Sequence, residues 1–250
     1  MSIVYSNSAS KSGIVERIRR ITSTDSASYP VADITSDVNM ALDVFFSIAI
    51  QASGVWQLDD SNQTDYPIIS TNLVSGQRDY AFTTDGSGNL ILDIYRVMVA
   101  GQNSIFYDLE LVDQHKKDFR SLGMVDGQNI EGVPSKYNKL ANGIFLDAIP
   151  NYNSTGGLKV FINRESTYFT TADTTKKPGV PGILHEYFVV KPSYVYAYSN
   201  GLPNLGSLEK EVIKYEGDER LGIPGMIGEY FSKRSKDEKQ QIKTIYRSSR

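Results

Sequence analysis

From Ile144 to Ile162 one strand follows another with nothing long enough between them to form a crossover helix. Ile144, Leu146 and Ala148 alternate onto one face of a strand, and Leu158, Val160 and Ile162 onto one face of the next. Only the turn-rich segment Asn151–Gly157 joins them. Strand following strand without a crossover helix argues against a doubly wound α/β fold and suggests a mostly antiparallel domain. After the Pro178-Gly-Val-Pro181 connector the period changes. Leu184, Phe188 and Val195 recur on one side of a helix, with Tyr187, Tyr194 and Tyr198 as a neighbouring stripe. Pro192 is expected to kink or interrupt that helix.

Upstream, more strands are expected. Pro67–Val74, Arg78–Phe82, Leu90–Val99 and Ile105–Leu111 are rich in β-branched and aromatic residues, and turn signals such as Asp85-Gly-Ser-Gly-Asn and Gly101-Gln-Asn separate them. Asp113–Leu122 reads as a short charged helix and Gly123–Gly132 as a loop. Helical periodicity marks both ends of the chain. Ile14, Ile18 and Ile21 suggest a short early helix. Ile34, Val38, Leu42, Phe45, Ala49 and Ala52 form one stripe that Asp33 or Ser36 would cap. Ser207 would cap a later helix carrying Leu208, Val212 and Tyr215. The expected fold is therefore α+β. A helical body from residues 1–54 and 180–250 carries an inserted, mostly antiparallel β domain at 55–179.

Composition narrows function by exclusion. The chain has no cysteine, which rules out disulfides, cysteine-bound zinc and thiol nucleophiles. No basic-then-apolar leader is visible, and the apolar runs are far shorter than the ~20 residues of a membrane span, so a soluble protein made in a reducing cytoplasm is expected. Charge is unevenly placed. Ser232–Arg250 holds seven Lys/Arg against two Asp/Glu, a net +5. With −3 on the whole chain, the remainder carries −8. A basic arm at 232–250 on an acidic body suggests an arm that meets an acidic partner. Bases stack on aromatics interleaved with cations, and only Tyr246-Arg247 offers that pairing, so a protein partner is favoured over nucleic acid.

Catalytic patterns are incomplete. His185-Glu186 opens a zinc-protease helix motif, but Val189 stands where the second histidine belongs. His115 lies among charged residues and reads as solvated surface. Asp85-Gly-Ser-Gly-Asn begins like a calcium loop, yet Arg96 occupies its twelfth position, where glutamate is required. Ser207 and Lys210 have the spacing of a nucleophile pair but no oxyanion-stabilising partner. No P-loop or dinucleotide fingerprint is present. No enzyme activity, catalytic residue, metal or cofactor is therefore expected.

Pro134-Ser-Lys-Tyr137, Gly143-Ile-Phe-Leu146 with Ile149-Pro150, Leu158-Lys-Val160 with Arg164, and Pro178-Gly-Val-Pro181 before Leu184-His185-Glu186 together resemble the head-to-tail adaptors of short-tailed bacteriophages, also called head-completion or tail tubular A-like proteins. The resemblance implies a structural virion protein of the neck and tail. Such a protein forms a ring, expected to be twelve-fold, beneath the portal. The ring extends the channel through which genomic DNA passes without specific binding, and it presents a platform to the next tail component, a nozzle, tube or fibre protein. Neither cofactor nor membrane is implied. From charge, Lys233, Arg234, Lys236, Lys239, Lys243, Arg247 and Arg250 are the candidate portal-binding residues. From the tyrosine-rich helix, Leu184, Tyr187, Phe188, Tyr194 and Tyr198 are the candidate contacts between ring subunits. The alternative is a β-sandwich module of the tail that binds a glycan or host surface.

Overall fold

The computed structural model describes residues 3–53, 68–85, 88, 90–112, 130–140, 143–218 and 220–238. The expected helix at Asp113–Leu122 and nearly all of the Gly123–Gly132 loop lie outside the described residues. The fold is α+β, with mostly antiparallel sheets. The chain divides into two compact units, Gln57–Thr167 and the pair Met1–Trp56 with Tyr168–Arg250.

Eight strands make up the described part of the Gln57–Thr167 unit: β1 (Ile68–Leu73), β2 (Asp79–Ala81), β3 (Ile91–Ala100), β4 (Phe106–Asp108), β5 (Glu110–Leu111), β6 (Lys136–Leu140), β7 (Gly143–Leu146) and β8 (Ser154–Arg164). They form two four-stranded sheets, ordered β1-β8-β3-β4 and β2-β7-β6-β5. Every pair is antiparallel except β5 with β6. One core serves both sheets. Leu73, Val97, Val99, Leu158, Val160 and Ile162 of the first meet Tyr80, Tyr137, Ile144 and Leu146 of the second. Strand β8 lies between β1 and β3, and Leu158, Val160 and Ile162 alternate onto its core side, all fully buried. Strand β3 is less regular. Ile94 and Val97 both point inward, three residues apart, because a bulge sets two residues of β3 against one of β8. The extra residue resets which parity faces the core.

The turn that begins like a calcium loop carries an ion pair. Asp85 receives Arg164 Nη1 at 2.7 Å, and both side chains are largely buried. Arg96, at the position a calcium-binding glutamate would occupy, forks onto Asp108 at 2.7 and 2.9 Å.

The other unit contains α1 (Ile14–Thr22), α2 (Val31–Ser53), a 3-10 turn at Gly182–Leu184, α3 (Tyr187–Asn200), α4 (Leu205–Glu216), the two-residue strands β9 (Gly217–Asp218) and β10 (Ile223–Pro224), and α5 (Met226–Glu238). Phe45 of α2 stands at the centre. Its ring lies 5.9 Å from Tyr187, 5.4 Å from Phe188 and 5.8 Å from Phe231. The stripe Ile34, Val38, Leu42, Phe45 and Ala49 is buried throughout.

Three local expectations are corrected. Helix α2 starts at Val31, just after Pro30, so Asp33 lies in its first turn and neither Asp33 nor Ser36 caps it. Helix α4 starts at Leu205, with Asn204 at the cap position. Asn204 Nδ2 donates to the Ile21 carbonyl at 3.0 Å, and Ser207 lies inside the helix, its hydroxyl donating back to the Asn204 carbonyl. Pro192 is buried within α3, which continues to Asn200. Its missing N–H removes one bond in the second turn, and the burial of this helix holds it together across that gap.

Residues 168–179, read from sequence as the end of the β domain, lie with the helical unit. Asn39 of α2 reaches Phe169 as a strand would, donating to its carbonyl at 3.0 Å and accepting its N–H at 2.9 Å. Phe169 stacks on Tyr5 at 4.6 Å. The N–H groups of Tyr5 and Ser6 donate to the carbonyls of Lys176 and Thr174.

Candidate functional site

The candidate subunit contacts fall into two groups. Leu184, Tyr187 and Phe188 are fully buried in the core of their own unit. They present no surface to a second copy, because the apolar side of α3 faces Phe45 of α2. Tyr194 and Tyr198, one turn apart, differ. Tyr194 is half-buried against the Val190–Leu208 cluster and Tyr198 is 70 % exposed, with ring centroids 6.3 Å apart. The helix ends cleanly beyond them. Gly201 takes a left-handed conformation, φ 64°, and its N–H and that of Leu202 both donate to the Ala197 carbonyl. The Tyr194–Tyr198 edge is therefore an aromatic surface on a fixed helix terminus.

The buried side of α3 carries a polar network that the sequence did not reveal. The Tyr187 hydroxyl donates to Glu216 at 2.6 Å, and the Lys191 ammonium lies 2.8 Å from the same carboxylate, with both charged side chains mostly buried. Burial first and the Glu216 charge second push the Tyr187 phenol far above its ordinary range. One carboxylate here serves two donors. It joins the end of α4 to α3.

His185 is 2 % exposed and is tied on both ring nitrogens. Nδ1 accepts the Ile3 N–H at 3.0 Å, which assigns the proton to Nε2, and Nε2 donates to the Val180 carbonyl at 2.9 Å. Desolvation lowers its pKa, so the ring is neutral. It is a clamp between the start of the chain and the connector before α3. His115 lies outside the described residues. Among the described residues, no group of three or more His, Asp or Glu is placed to hold a metal ion. No helix among them is long and apolar enough to cross a membrane.

Of the basic arm, Lys233 is described fully. It is exposed on α5 and pairs with Glu229 one turn back at 3.2 Å. Such exposed pairs hold by about 0.3–0.5 kcal/mol, so a stronger partner releases the lysine readily. Arg234 and Lys236 lie on the helical backbone of α5. Lys239, Lys243, Arg247 and Arg250 lie outside the described residues.

No protein-family model matches this chain, and no curated protein matches it.

Proposed function

We propose that the protein is a structural head-to-tail adaptor of a short-tailed phage virion, assembling as a ring, of twelve copies by family analogy, beneath the portal and offering a platform to the next tail component. The single observation that supports this reading most is the Tyr194–Tyr198 edge. Tyrosine contributes large, rigid contact area with a polar tip, which protein interfaces favour. Here it stands exposed at the end of a helix whose other side is fixed by the unit's core. A ring subunit needs two different faces that meet head to tail. The edge is one candidate face, and the net −8 outside Ser232–Arg250 is compatible with DNA passing a channel wall without sticking. The basic arm is the candidate contact to the portal.

The test mixes the full-length protein with its cognate portal ring and images the product by electron microscopy. The expected result is extra density of ring symmetry on one face of the portal. Portal rings that stay bare at every protein and salt concentration would sink the reading. Tyr198→Ala, exposed and outside the core, is expected to bind the portal as scattered single copies without closing a ring.

A further inference from the structure

A groove of about 580 Å³ opens in the Gln57–Thr167 unit between the β3–β4 turn and the segment that leads into β6. That volume is in the range of small-molecule sites, about 300–1,000 Å³. One wall is built around an aromatic ring. Tyr107 pairs with Val99 across the β3–β4 ladder and so shares Val99's core-facing side. It sits on an edge strand, where that side opens, and is 45 % exposed. The turn fixes the ring. A Cβ on Gly101 would lie 2.9 Å from Tyr107 Cε2, so a side chain there would push the ring from this position. Asn103 Nδ2 donates to the Tyr107 hydroxyl at 3.1 Å, while Asn103 Oδ1 accepts the Ile105 N–H at 3.1 Å. Ser104 takes φ 60° to make the turn.

The chemistry left over is specific. Tyr107 accepts from Asn103, and among the described residues its own proton has no acceptor. Gln102 uses one amide hydrogen on Asn151, leaving its carbonyl to accept. Each Asp108 oxygen takes one bond from Arg96 and retains a lone pair. Val133 and Pro134 supply an apolar opposite wall, and Ser135 is held by Asp147. The groove thus offers an aromatic platform beside a donor at Tyr107 and an acceptor at Gln102. Among the described residues no Lys or Arg lines it, and the carboxylate of Asp108 is paired with Arg96.

We propose that this groove is a binding site for a neutral saccharide, with Tyr107 stacking on the C–H face of one sugar ring and Tyr107 and Gln102 bonding its hydroxyls. A sugar ring has an apolar face and an equatorial rim of hydroxyls that both donate and accept, which matches this lining. A nucleic-acid strand would find an aromatic platform but, among the described lining residues, no cation for its phosphates. The site does not depend on ring assembly.

The test is saturation-transfer NMR on the full-length protein with three probes in turn, maltohexaose, chitohexaose and mannohexaose, and with a dinucleotide and a proline-rich peptide as competing classes. At least one saccharide is expected to receive saturation, strongest at the ring protons of one residue, with millimolar or tighter affinity. Tyr107→Ala should weaken that binding at least tenfold. Tyr107→Phe, which keeps the platform and loses the donor, should weaken it several-fold. Gln102→Ala, an exposed substitution that leaves the turn backbone intact, should also weaken it and covers the case in which Tyr107→Ala does not fold. The proposal is overturned by saturation of none of the three saccharides, by saturation indifferent to these variants, or by preferential binding of the dinucleotide or peptide.

Discussion

His185 is held neutral by its surroundings, and that makes stability depend on pH in a defined direction. Its pKa is lowered from 6.5, chiefly by desolvation, which outweighs the Val180 hydrogen bond that favours the charged ring. The unfolded chain therefore takes up a proton at a higher pH than the folded chain does. The contribution is present above the unfolded value and is lost as pH falls through about 6.5 toward the lower folded value. The denaturation midpoint of the wild type should accordingly drop between pH 7.5 and 5.5 by more than that of His185→Gln, and parallel curves would refute the assignment. A second residue-scale prediction concerns Glu216, which holds both Tyr187 and Lys191. Glu216→Ala leaves a mostly buried ammonium and a buried phenol without their acceptor. It should cost about 2–3 kcal/mol in chemical denaturation, less than the ~3–5 of a fully buried pair. Lys214→Ala, which breaks the exposed Lys214–Glu211 pair, should cost ~0.5 kcal/mol or less. Why was this network illegible in the sequence? Its members are 25 to 29 residues apart on two helices, and the partners of His185 are five and 182 residues away. Residue type and spacing showed that His185 lacks a zinc partner. They carry no sign of what it does hold.

Elements that obey one period through their whole length were readable. Strand β8 alternates without a break on its core side, and α2 keeps its stripe from Ile34 to Ala49, so both emerge from periodicity alone. Where geometry resets the count, reading fails. The bulge in β3 shifts inward parity between Ile94 and Val97, and a residue-by-residue alternation cannot register it. Helix starts are hard to read for a related reason, since the groups that satisfy their first N–H groups can come from elsewhere in the chain. Helix α1 shows this best. Gly13 at its start has no side chain to cap it. The first two N–H groups donate instead to the carbonyls of Val4 and Tyr5, and Glu16 gathers the Ser6 hydroxyl and the Asn7 N–H. This leaves no space for a side chain at Gly13. A Cβ there would lie 2.5 Å from Asn7 N and 2.7 Å from Ser6 Cα. Gly13→Ala should therefore destabilise by about 1–3 kcal/mol, within the usual range for overpacking. Gly206 is the contrast, because it lies inside α4 and a Cβ would meet nothing within 4 Å. Gly206→Ala should stabilise by about 0.5–1 kcal/mol through helix propensity and a less free unfolded chain. Thermal melts of the two variants should move in opposite directions.

For the molecule as a whole, the charge asymmetry gives the adaptor reading its sharpest consequence. Part of the basic arm lies in α5. Residues 232–238 belong to a helix that follows directly from the buried Phe231, so removing them disturbs the helical unit. Residues 239–250 hold Lys239, Lys243, Arg247 and Arg250 and no acidic side chain, a net +4. A truncation after Glu238 removes this charge and keeps the whole of α5 as described. It should melt at the temperature of the full-length protein. If the arm grips an acidic portal surface, the truncated protein should dock at least tenfold more weakly, about 1.4 kcal/mol, in a sedimentation assay with portal rings. The full-length protein should then lose its advantage as salt rises, because the Debye length shrinks from about 10 Å at 0.1 M to about 3 Å at 1 M and screens exposed charge. The truncated protein, having lost those charges, should show a flatter salt response. Docking that is equally tight with and without residues 239–250, or equally salt-dependent, would place the portal contact elsewhere and remove the charge argument. Charge steers encounter more than it fixes affinity, so the association rate should change more than the dissociation rate.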